Sequence, residues 1–218
     1  MSIFYRIIII LLVVAAGYSL FGIGHFKWMY YRATHPKADF TVKGDQQSDQ
    51  ILIEFLNYNC GYCKQINPTV KELLDVRKDI KYIARPVSFK LFIQDETDPE
   101  GEKKPYEDKT TKIVFAAGLQ GKFWEMHDAV LEYPETDIPD SFFEETANLY
   151  GIDYDQLIKD SKSDKVEKII DENVDVFNHI ALYSVPTFMM NGNIYAVRNE
   201  KLPELKELLD FVSSAEKH

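Results

Sequence analysis

The sequence has few cysteines, few clustered basic residues and no repeats, and each of these absences argues against a class of site or function. It holds two cysteines among 218 residues, with no second C-x-x-C and no close histidine pair. A structural zinc site wants four ligands, so we expect no metal and treat zinc as a weak alternative for the cysteines. Clustered lysine and arginine are also missing and the net charge is −10, which argues against nucleic acid as a partner. There is no repeat or low-complexity tract, and 45% hydrophobic residues exclude a disordered chain.

An apolar stretch occupies residues 7–24. At about 1.5 Å per residue a helix of this length nearly crosses a hydrocarbon core of about 30 Å, so it targets the chain to a membrane. We expect an uncleaved signal anchor with Trp28, Tyr30 and Tyr31 at the interface. A cleavable signal peptide is the alternative, because residues 14–16 (Val-Ala-Ala) offer a plausible cleavage point and would leave a soluble protein.

The charges around this stretch conflict with export. Lys27, Arg32 and Lys37 outnumber Arg6 plus the amino terminus. The positive-inside rule alone would therefore leave the following domain in the cytoplasm. Long domains translocate despite such charges, and the cysteine chemistry described below favours export, so both orientations stay open here.

Hydrophobic periodicity predicts an α/β domain interrupted by helices. Short β-branched and aromatic runs predict strands at 38–43, 51–56, 80–87, 184–190 and 194–197. Helical spacing of apolar residues predicts helices at 61–77, 108–119, 122–132, 139–150, 154–160, 164–181 and from near Pro203. The polar, acidic stretch 88–105 predicts an exposed loop. We expect residues 1–37 to be anchor and tether, 38–87 with 182–218 the α/β domain, and 88–181 a loop and helical insertion.

The two cysteines form the motif Cys60-Gly61-Tyr62-Cys63 directly after the predicted strand 51–56. Two thiols at this spacing at the start of a helix close into a small disulfide, which indicates a reversible redox centre. Cys60 is the expected nucleophile, because the helix N-terminus favours its thiolate. Cys63 lies one turn further in and is the expected resolving thiol. Gly61 keeps the backbone permissive, and Tyr62 offers an aromatic face to a bound peptide.

With Ile66 and Pro68 following the cysteines, this segment resembles the active-site helix of the thioredoxin superfamily. Within it the chain most resembles DsbA-like thiol:disulfide oxidoreductases of the N-C-G-Y-C branch. Residues 121–127 (Gly-Lys-Phe-Trp-Glu-Met-His) and 185–187 (Val-Pro-Thr) support the resemblance, which covers residues 38–218. It implies a thioredoxin-like α/β fold with an inserted α-helical domain. The apolar stretch 7–24 adds the prediction of an N-terminal transmembrane helix before this domain.

The resemblance also implies roles for residues far from the cysteines in sequence. Pro186 matches the family's cis-proline facing the thiols, although Val-Pro-Thr alone would indicate only a turn or an edge-strand proline. Val185 and Thr187 flank it and, with Gly61 and Tyr62, are the expected substrate-binding residues. The backbone of Val185 is expected to pair with an extended peptide substrate. Glu54 lies at the spacing of the family's buried acid, which relays the proton of Cys63. A solvent-facing strand acid is the alternative for Glu54.

The predicted function is that of an exported thiol:disulfide oxidoreductase that oxidises substrate protein thiols through a Cys60–Cys63 disulfide. No cofactor is expected beyond that disulfide. The expected partners are unfolded or partly folded proteins and a membrane redox partner that recycles the thiols, on the periplasmic side of a bacterial inner membrane. Val185 before the proline favours an oxidase by resemblance, and the Gly-Tyr pair, without a histidine donor, predicts a mild one. A disulfide isomerase or reductase, and a redox-inactive chaperone, remain alternatives.

Other conspicuous side chains have structural interpretations. His127 and His179 are expected to be packed or capped rather than catalytic. Aromatic residues at helical spacing are expected to form the core of the insertion; they are Trp124, Phe142, Phe143 and Phe177. The acidic segment 95–107 is expected to be a solvated loop, with a partner surface as the alternative.

Overall fold

A computed structural model describes residues 24–88, 108–197 and 201–216, the single positions 12 and 22, and the backbone of 92–93 and 104–105. The predicted anchor (7–24) lies almost wholly outside these residues, as does the acidic segment 95–107. Among the helices of the described residues, none combines the length and apolar character needed to cross a bilayer.

The strands are β1 (Val42–Gly44), β2 (Ile51–Leu56), β3 (Lys81–Pro86), β4 (Phe92–Ile93), β5 (Lys104–Pro105), β6 (Thr187–Met190) and β7 (Asn193–Ala196). Within the described residues the main sheet has the order β1-β3-β2-β6-β7. Strand β2 runs parallel to β3 and antiparallel to β6. Strands β4 and β5 pair with each other, so the predicted loop 88–105 contains two short strands that its polar composition did not indicate.

The helices are α1 (24–34), α2 (Gly61–Val76), α3 (Lys109–Leu119), α4 (Phe123–Glu132), α5 (Asp140–Tyr150), α6 (Tyr154–Ser161), α7 (Asp164–His179) and α8 (Leu205–Ala215). Several begin where a short polar side chain accepts a hydrogen bond from the free backbone N–H groups of the first turn, as Asp153 does at α6 and Ser163 at α7. Gly151, at φ +67°, ends α5 in the left-handed conformation that glycine adopts without strain.

Strand β2 is central because both of its faces are buried. Successive side chains point to opposite faces of a strand. Leu52 and Leu56 therefore join the core that contains residues of α2, α8 and the insertion, whereas Ile53 and Phe55 join the core beneath α1 and the end of α7. The first core runs without a break from the sheet into α3 and α4, so the helical insertion shares the hydrophobic core of the main sheet.

Two predictions about the N-terminal part need correction. The predicted strand 38–43 begins only at Val42, because residues Asp39–Thr41 form a 3-10 turn. Phe40 of this turn packs against Phe115 and Phe123 of the insertion, which draws the chain away from the sheet.

The predicted tether is instead helix α1, packed against the sheet. Its Met29 and Ala33 are buried with Ile53 and Phe55. Arg85, fully buried at the end of β3, donates hydrogen bonds to the carbonyl oxygens of Arg32 and Ala33 at the end of α1. The tether prediction was wrong because it considered only local sequence. The packing contacts of α1 are with strand residues twenty or more positions away, and its hydrogen bonds with Arg85 span about fifty positions.

Candidate active site

The turn between β2 and α2 presents the first cysteine at the start of a helix. Cys60 is the N-cap residue of α2, in extended conformation, and its carbonyl oxygen accepts the hydrogen bond of the Lys64 N–H at 3.2 Å. Its own N–H donates to the Asn57 carbonyl oxygen at 3.1 Å, which closes the turn. The Cys60 sulfur is thus adjacent to the unpaired N–H groups and the positive end of the α2 dipole, as predicted.

The pKa values of the two thiols are shifted in opposite directions. The Cys63 thiol and the backbone N–H groups of Cys63 and Tyr62 donate to the Cys60 sulfur, and despite partial burial they lower its pKa from 9.0 to about 6. Cys63 is 1% exposed, and burial together with the Cys60 sulfur raises its pKa well above the ordinary value. Both cysteines are free thiols in this structure. At neutral pH Cys60 is therefore the thiolate and Cys63 the protonated, shielded partner.

The segment 185–187 faces Cys60 from the start of β6. The Val185–Pro186 peptide bond is cis, as predicted, and the Cys60 Sγ lies 3.7 Å from the Val185 carbonyl oxygen. Thr187 is buried, and its hydroxyl donates to the Ser184 carbonyl oxygen at 2.7 Å. The side chain of Thr187, predicted to bind substrate, therefore supports this loop from within, and Val185 is the residue beside the sulfur.

Gly61 and Tyr62 lie at the open side of the site. Tyr62 is 38% exposed, so its ring is available to a bound chain. A Cβ atom added to Gly61 would have one neighbour within 4 Å, the Gln65 side chain at 3.9 Å, so the glycine leaves space beside Cys60 without being sterically required.

Glu54 lies beneath the thiols in the interior. It is 4% exposed, which makes the solvent-facing alternative wrong. Burial raises its pKa from 4.5 to about 7, and the hydrogen bond donated by the Tyr82 hydroxyl opposes part of that rise. Its charge in turn contributes to the raised pKa of Cys63. The position predicted for a proton-relaying acid is therefore occupied by a carboxyl that titrates near neutral pH; the relay itself stays a prediction.

His127 has the structural role expected of it. It is buried, its Nδ1 lies 2.8 Å from the Tyr58 hydroxyl, and burial lowers its pKa to about 3. The imidazole is therefore neutral at physiological pH and packs between Phe123 and Trp124.

Three polar residues beside the cysteines were not among the predicted site residues. Asn57 and Asn59 precede Cys60 in the turn, and Asp108 is the N-cap residue of α3. Both asparagine side chains donate to the Asp108 carboxylate, at 3.3 and 3.2 Å. The repeated asparagine in Asn-Tyr-Asn-Cys was the available signal for a side-chain-bonded turn. Nothing local pointed to Asp108.

Comparisons with known proteins identify the family and the fold. The family of DSBA-like thioredoxin domains matches residues 51–210. The structure of α-DsbA2, a thiol-disulfide exchange protein from Wolbachia pipientis, has a TM-score of 0.67 at 23% identity and covers 88% of this chain and 92% of that one. The catalytic domain of ScsC from Proteus mirabilis has a TM-score of 0.67 at 17% identity and covers 89% and 98%. At such identities these two structures show a common fold.

Curated relatives are similar over part of their length only. A Na(+)/H(+) antiporter, NhaA 3 of Salinispora tropica, is 26% identical over 151 residues, which is 69% of this chain and 21% of that protein. NhaA 1 of Salinispora arenicola is 28% identical over the same shares. The chain thus spans about a fifth of the length of the curated relatives it matches.

Proposed function

The chain belongs to the family of DSBA-like thioredoxin domains, thiol:disulfide oxidoreductases, and we propose that it works as an exported oxidase of protein thiols. The proposal rests on the opposite shifts in the pKa values of the two thiols. The pKa of Cys60, at a helix N-terminus, is lowered to about 6, and the pKa of Cys63, shielded behind it, is raised. A stabilised thiolate favours the reduced form of the enzyme, which makes its disulfide an oxidant.

The proposed reaction starts from the Cys60–Cys63 disulfide. A substrate thiolate attacks the Cys60 sulfur, the enzyme disulfide breaks, and Cys63 leaves as a thiolate that takes up a proton. A second substrate thiolate then attacks the substrate sulfur of the mixed disulfide, and Cys60 leaves as the stabilised thiolate. Two electrons and one proton have passed to the enzyme, and the substrate holds a new disulfide. A membrane redox partner then removes these electrons and restores the enzyme disulfide.

Glu54 is proposed to handle the proton of Cys63. A carboxyl with a pKa of about 7 is protonated in part of the molecules at neutral pH, so it has a proton to donate when Cys63 leaves and accepts one when Cys63 must attack. Its charge already acts on the pKa of Cys63. Pro186 and Val185 are proposed to hold an extended, unfolded substrate against Cys60, with Tyr62 contacting its side chains.

A pair of ribonuclease assays tests the direction of the reaction. The oxidised chain should reactivate reduced ribonuclease and fail on scrambled ribonuclease. Recovery of the scrambled enzyme would instead identify an isomerase, and inactivity on both would indicate a redox-inactive module. Cys63→Ser should accumulate mixed disulfides with scrambled ribonuclease on non-reducing gels, because its Cys60 thiolate displaces one sulfur of a ribonuclease disulfide and no second enzyme thiol is present to release it. Cys60→Ser should form none, and the reverse pattern would contradict the order of attack.

Export and membrane anchoring are proposed from residues 7–24 together with the course of α1. The Phe26 ring lies beside Gly192 in the β6–β7 turn, 3.1 Å from the position that a Cβ atom on this glycine would occupy, and the Tyr30 hydroxyl donates to the Asn191 side chain at 3.2 Å. Since β6 runs antiparallel to β2, this turn lies at the end of the sheet opposite Cys60. An anchor preceding α1 would therefore hold the domain with its thiols directed away from the bilayer.

Tryptophan fluorescence tests this arrangement in vesicles, because the chain holds two tryptophans, Trp28 and Trp124. Trp28 is exposed on α1, at 51%. With Trp124→Phe, brominated lipids should quench the remaining Trp28; with Trp28→Phe, Trp124 in the insertion should be quenched less. Failure of the full chain to float with vesicles would contradict anchoring, and stronger quenching of Trp124 would contradict the orientation.

A further inference from the structure

A single buried carboxylate, Asp108, connects the helical insertion to the turn that carries the thiols. Asp108 is 4% exposed and caps α3, where its Oδ1 accepts the Thr111 N–H at 3.0 Å and its Oδ2 accepts the Thr111 hydroxyl at 2.8 Å. A helix cap needs one such acceptor. Both oxygens of Asp108 have further partners outside α3, so its role extends beyond capping.

Those further partners are the two asparagines before Cys60. The Asn59 amide donates to Oδ1 at 3.2 Å, and the Asn57 amide donates to Oδ2 at 3.3 Å and to the Val87 carbonyl oxygen at 2.7 Å. The Asn57 side-chain oxygen accepts the Asn59 N–H at 2.8 Å. These contacts fix the asparagines from the side chain and from the backbone.

The turn between β2 and α2, which holds the two asparagines, also contacts both cysteines through its backbone. The Asn57 N–H points at the Cys63 Sγ at 3.5 Å, and the Asn57 carbonyl oxygen accepts the Cys60 N–H at 3.1 Å. The low pKa of Cys60 depends on the N–H groups of Tyr62 and Cys63 and on the Cys63 thiol, all in the first turn of α2, which directly follows this turn. A looser turn would therefore weaken the hydrogen bonds that stabilise the Cys60 thiolate.

We infer that Asp108 is a positioning residue for the redox pair: through Asn57 and Asn59 it holds the β2–α2 turn in the geometry that keeps Cys60 a thiolate. The inference rests on the proposed function, since it concerns how the same thiols are tuned. It also assigns the insertion a part in the chemistry, because α3 carries the carboxylate to the site.

The direction in which the pKa of Cys60 changes distinguishes a positioning role of Asp108 from a purely electrostatic one. Removing a nearby negative charge would by itself favour the Cys60 thiolate and lower the pKa of Cys60. Loosening the turn would raise that pKa, because donors to the thiolate are lost. Positioning therefore predicts a change opposite to the one that simple electrostatics predicts.

Two substitutions each remove one of the two hydrogen bonds that join Asp108 to the asparagines; we call these bonds the two arms. Asp108→Asn keeps an oxygen for the Thr111 N–H and for Asn59, but places an amide opposite the Asn57 amide, where two donors face each other. Asn59→Ala removes the other arm and leaves the α3 cap intact. The matched control is Asp153→Asn at the start of α6. The Asp153 side chain likewise accepts a first-turn N–H, from Gln156 at 3.0 Å. Among the hydrogen bonds described, it contacts no residue of the β2–α2 turn.

The assay is the rate of Cys60 alkylation by iodoacetamide across pH, on the reduced full chain, with circular dichroism on the same samples to verify folding. Each arm variant should raise the pKa of Cys60 by about one unit, which lowers the alkylation rate at about pH 5 roughly tenfold. The double variant should shift it by less than the sum of the two, because both arms act on one turn. Asp153→Asn should match the unsubstituted chain.

An unchanged or lowered pKa of Cys60 in folded Asp108→Asn and Asn59→Ala would overturn the inference, as would an equal rise in Asp153→Asn. Failure of the proposed function has a different signature. In that case the unsubstituted chain itself would be alkylated like a free cysteine in solution, before any variant is made.

Discussion

Replacing Glu54 by glutamine should increase the free energy of unfolding at alkaline pH and change it little in acid. Glu54 is buried, and its pKa in the folded chain is about 7 against 4.5 for an ordinary glutamate. Below about pH 4.5 the carboxyl is protonated in both the folded and the unfolded state. Between about 4.5 and 7 the unfolded state releases this proton and the folded state keeps it, so stability falls as pH rises through that window.

The size of the effect follows from the two pKa values. Their difference corresponds to about 3 kcal/mol of stability, fully lost above about pH 7. Glutamine does not ionise and still accepts the hydrogen bond from the Tyr82 hydroxyl. We therefore expect Glu54→Gln to be more stable than the unsubstituted chain by about 2–3 kcal/mol at about pH 8.5, and to differ by less than about 1 kcal/mol at about pH 4.5.

Urea unfolding of the reduced proteins at a series of pH values measures this difference, and the contribution of Cys60 cancels because both chains carry it. Glu144→Gln on the exposed surface of α5 is the control and should give a difference near zero throughout. Tyr82→Phe removes a hydrogen bond that lowers the pKa of Glu54, so it should extend the window to higher pH. A difference between Glu54→Gln and the unsubstituted chain that is constant across pH would refute the reasoning, because Glu54 would then be ionised equally in both states.

Three further outcomes are expected. Cys60 alkylation should be half-maximal near pH 6; a midpoint above about pH 8 in the alkylation profile would contradict the site geometry. Because folding lowers the pKa of Cys60 from 9.0 to about 6, its contribution to the stability of the reduced chain in urea unfolding should be lost as pH falls from about 9 to about 6. Arg85→Met leaves Glu172 buried without its ion-pair partner at 3.5 Å and should cost about 3 kcal/mol in urea unfolding, with faster hydrogen exchange in α1; unchanged exchange would mean that Arg85 does not hold α1. Gly118→Ala would place a Cβ atom 2.3 Å from the Phe40 ring and should cost about 1–3 kcal/mol, a loss that Phe40→Leu should partly restore.

The local chemistry of the site was predictable because it depends on short spacings. The run Ile51–Leu56 is short and apolar enough to predict a buried strand, and Cys60 follows it at the start of an apolar helical pattern. Those two facts predict a thiol at a helix N-terminus, which the structure confirms. The position of Glu54 inside the same strand predicted burial only through the family resemblance, since an acid in a strand is more often solvent-facing.

The surroundings of the thiols were not predictable from local sequence. Asp108 lies 51 positions from Asn57 and 49 from Asn59, and Arg85 lies 52 positions from the Ala33 carbonyl that it binds. Side chains at such separations meet only when the sheet order and the packing of α1 and α3 bring them together. Periodicity describes which face of an element is apolar, and it contains no information about which distant element covers that face.

The amino-acid sequence by itself thus determined the redox pair, the strand and helix that carry it, and the order of the main elements, because these follow from spacing and periodicity within about twenty residues. The tertiary structure alone decided that Glu54 titrates near neutral pH beneath the thiols, that α1 packs on the sheet with its first residues far from Cys60, and that a carboxylate of the insertion holds the active-site turn. The physical reason is that burial, and the partners of a buried polar group, are properties of the packed chain.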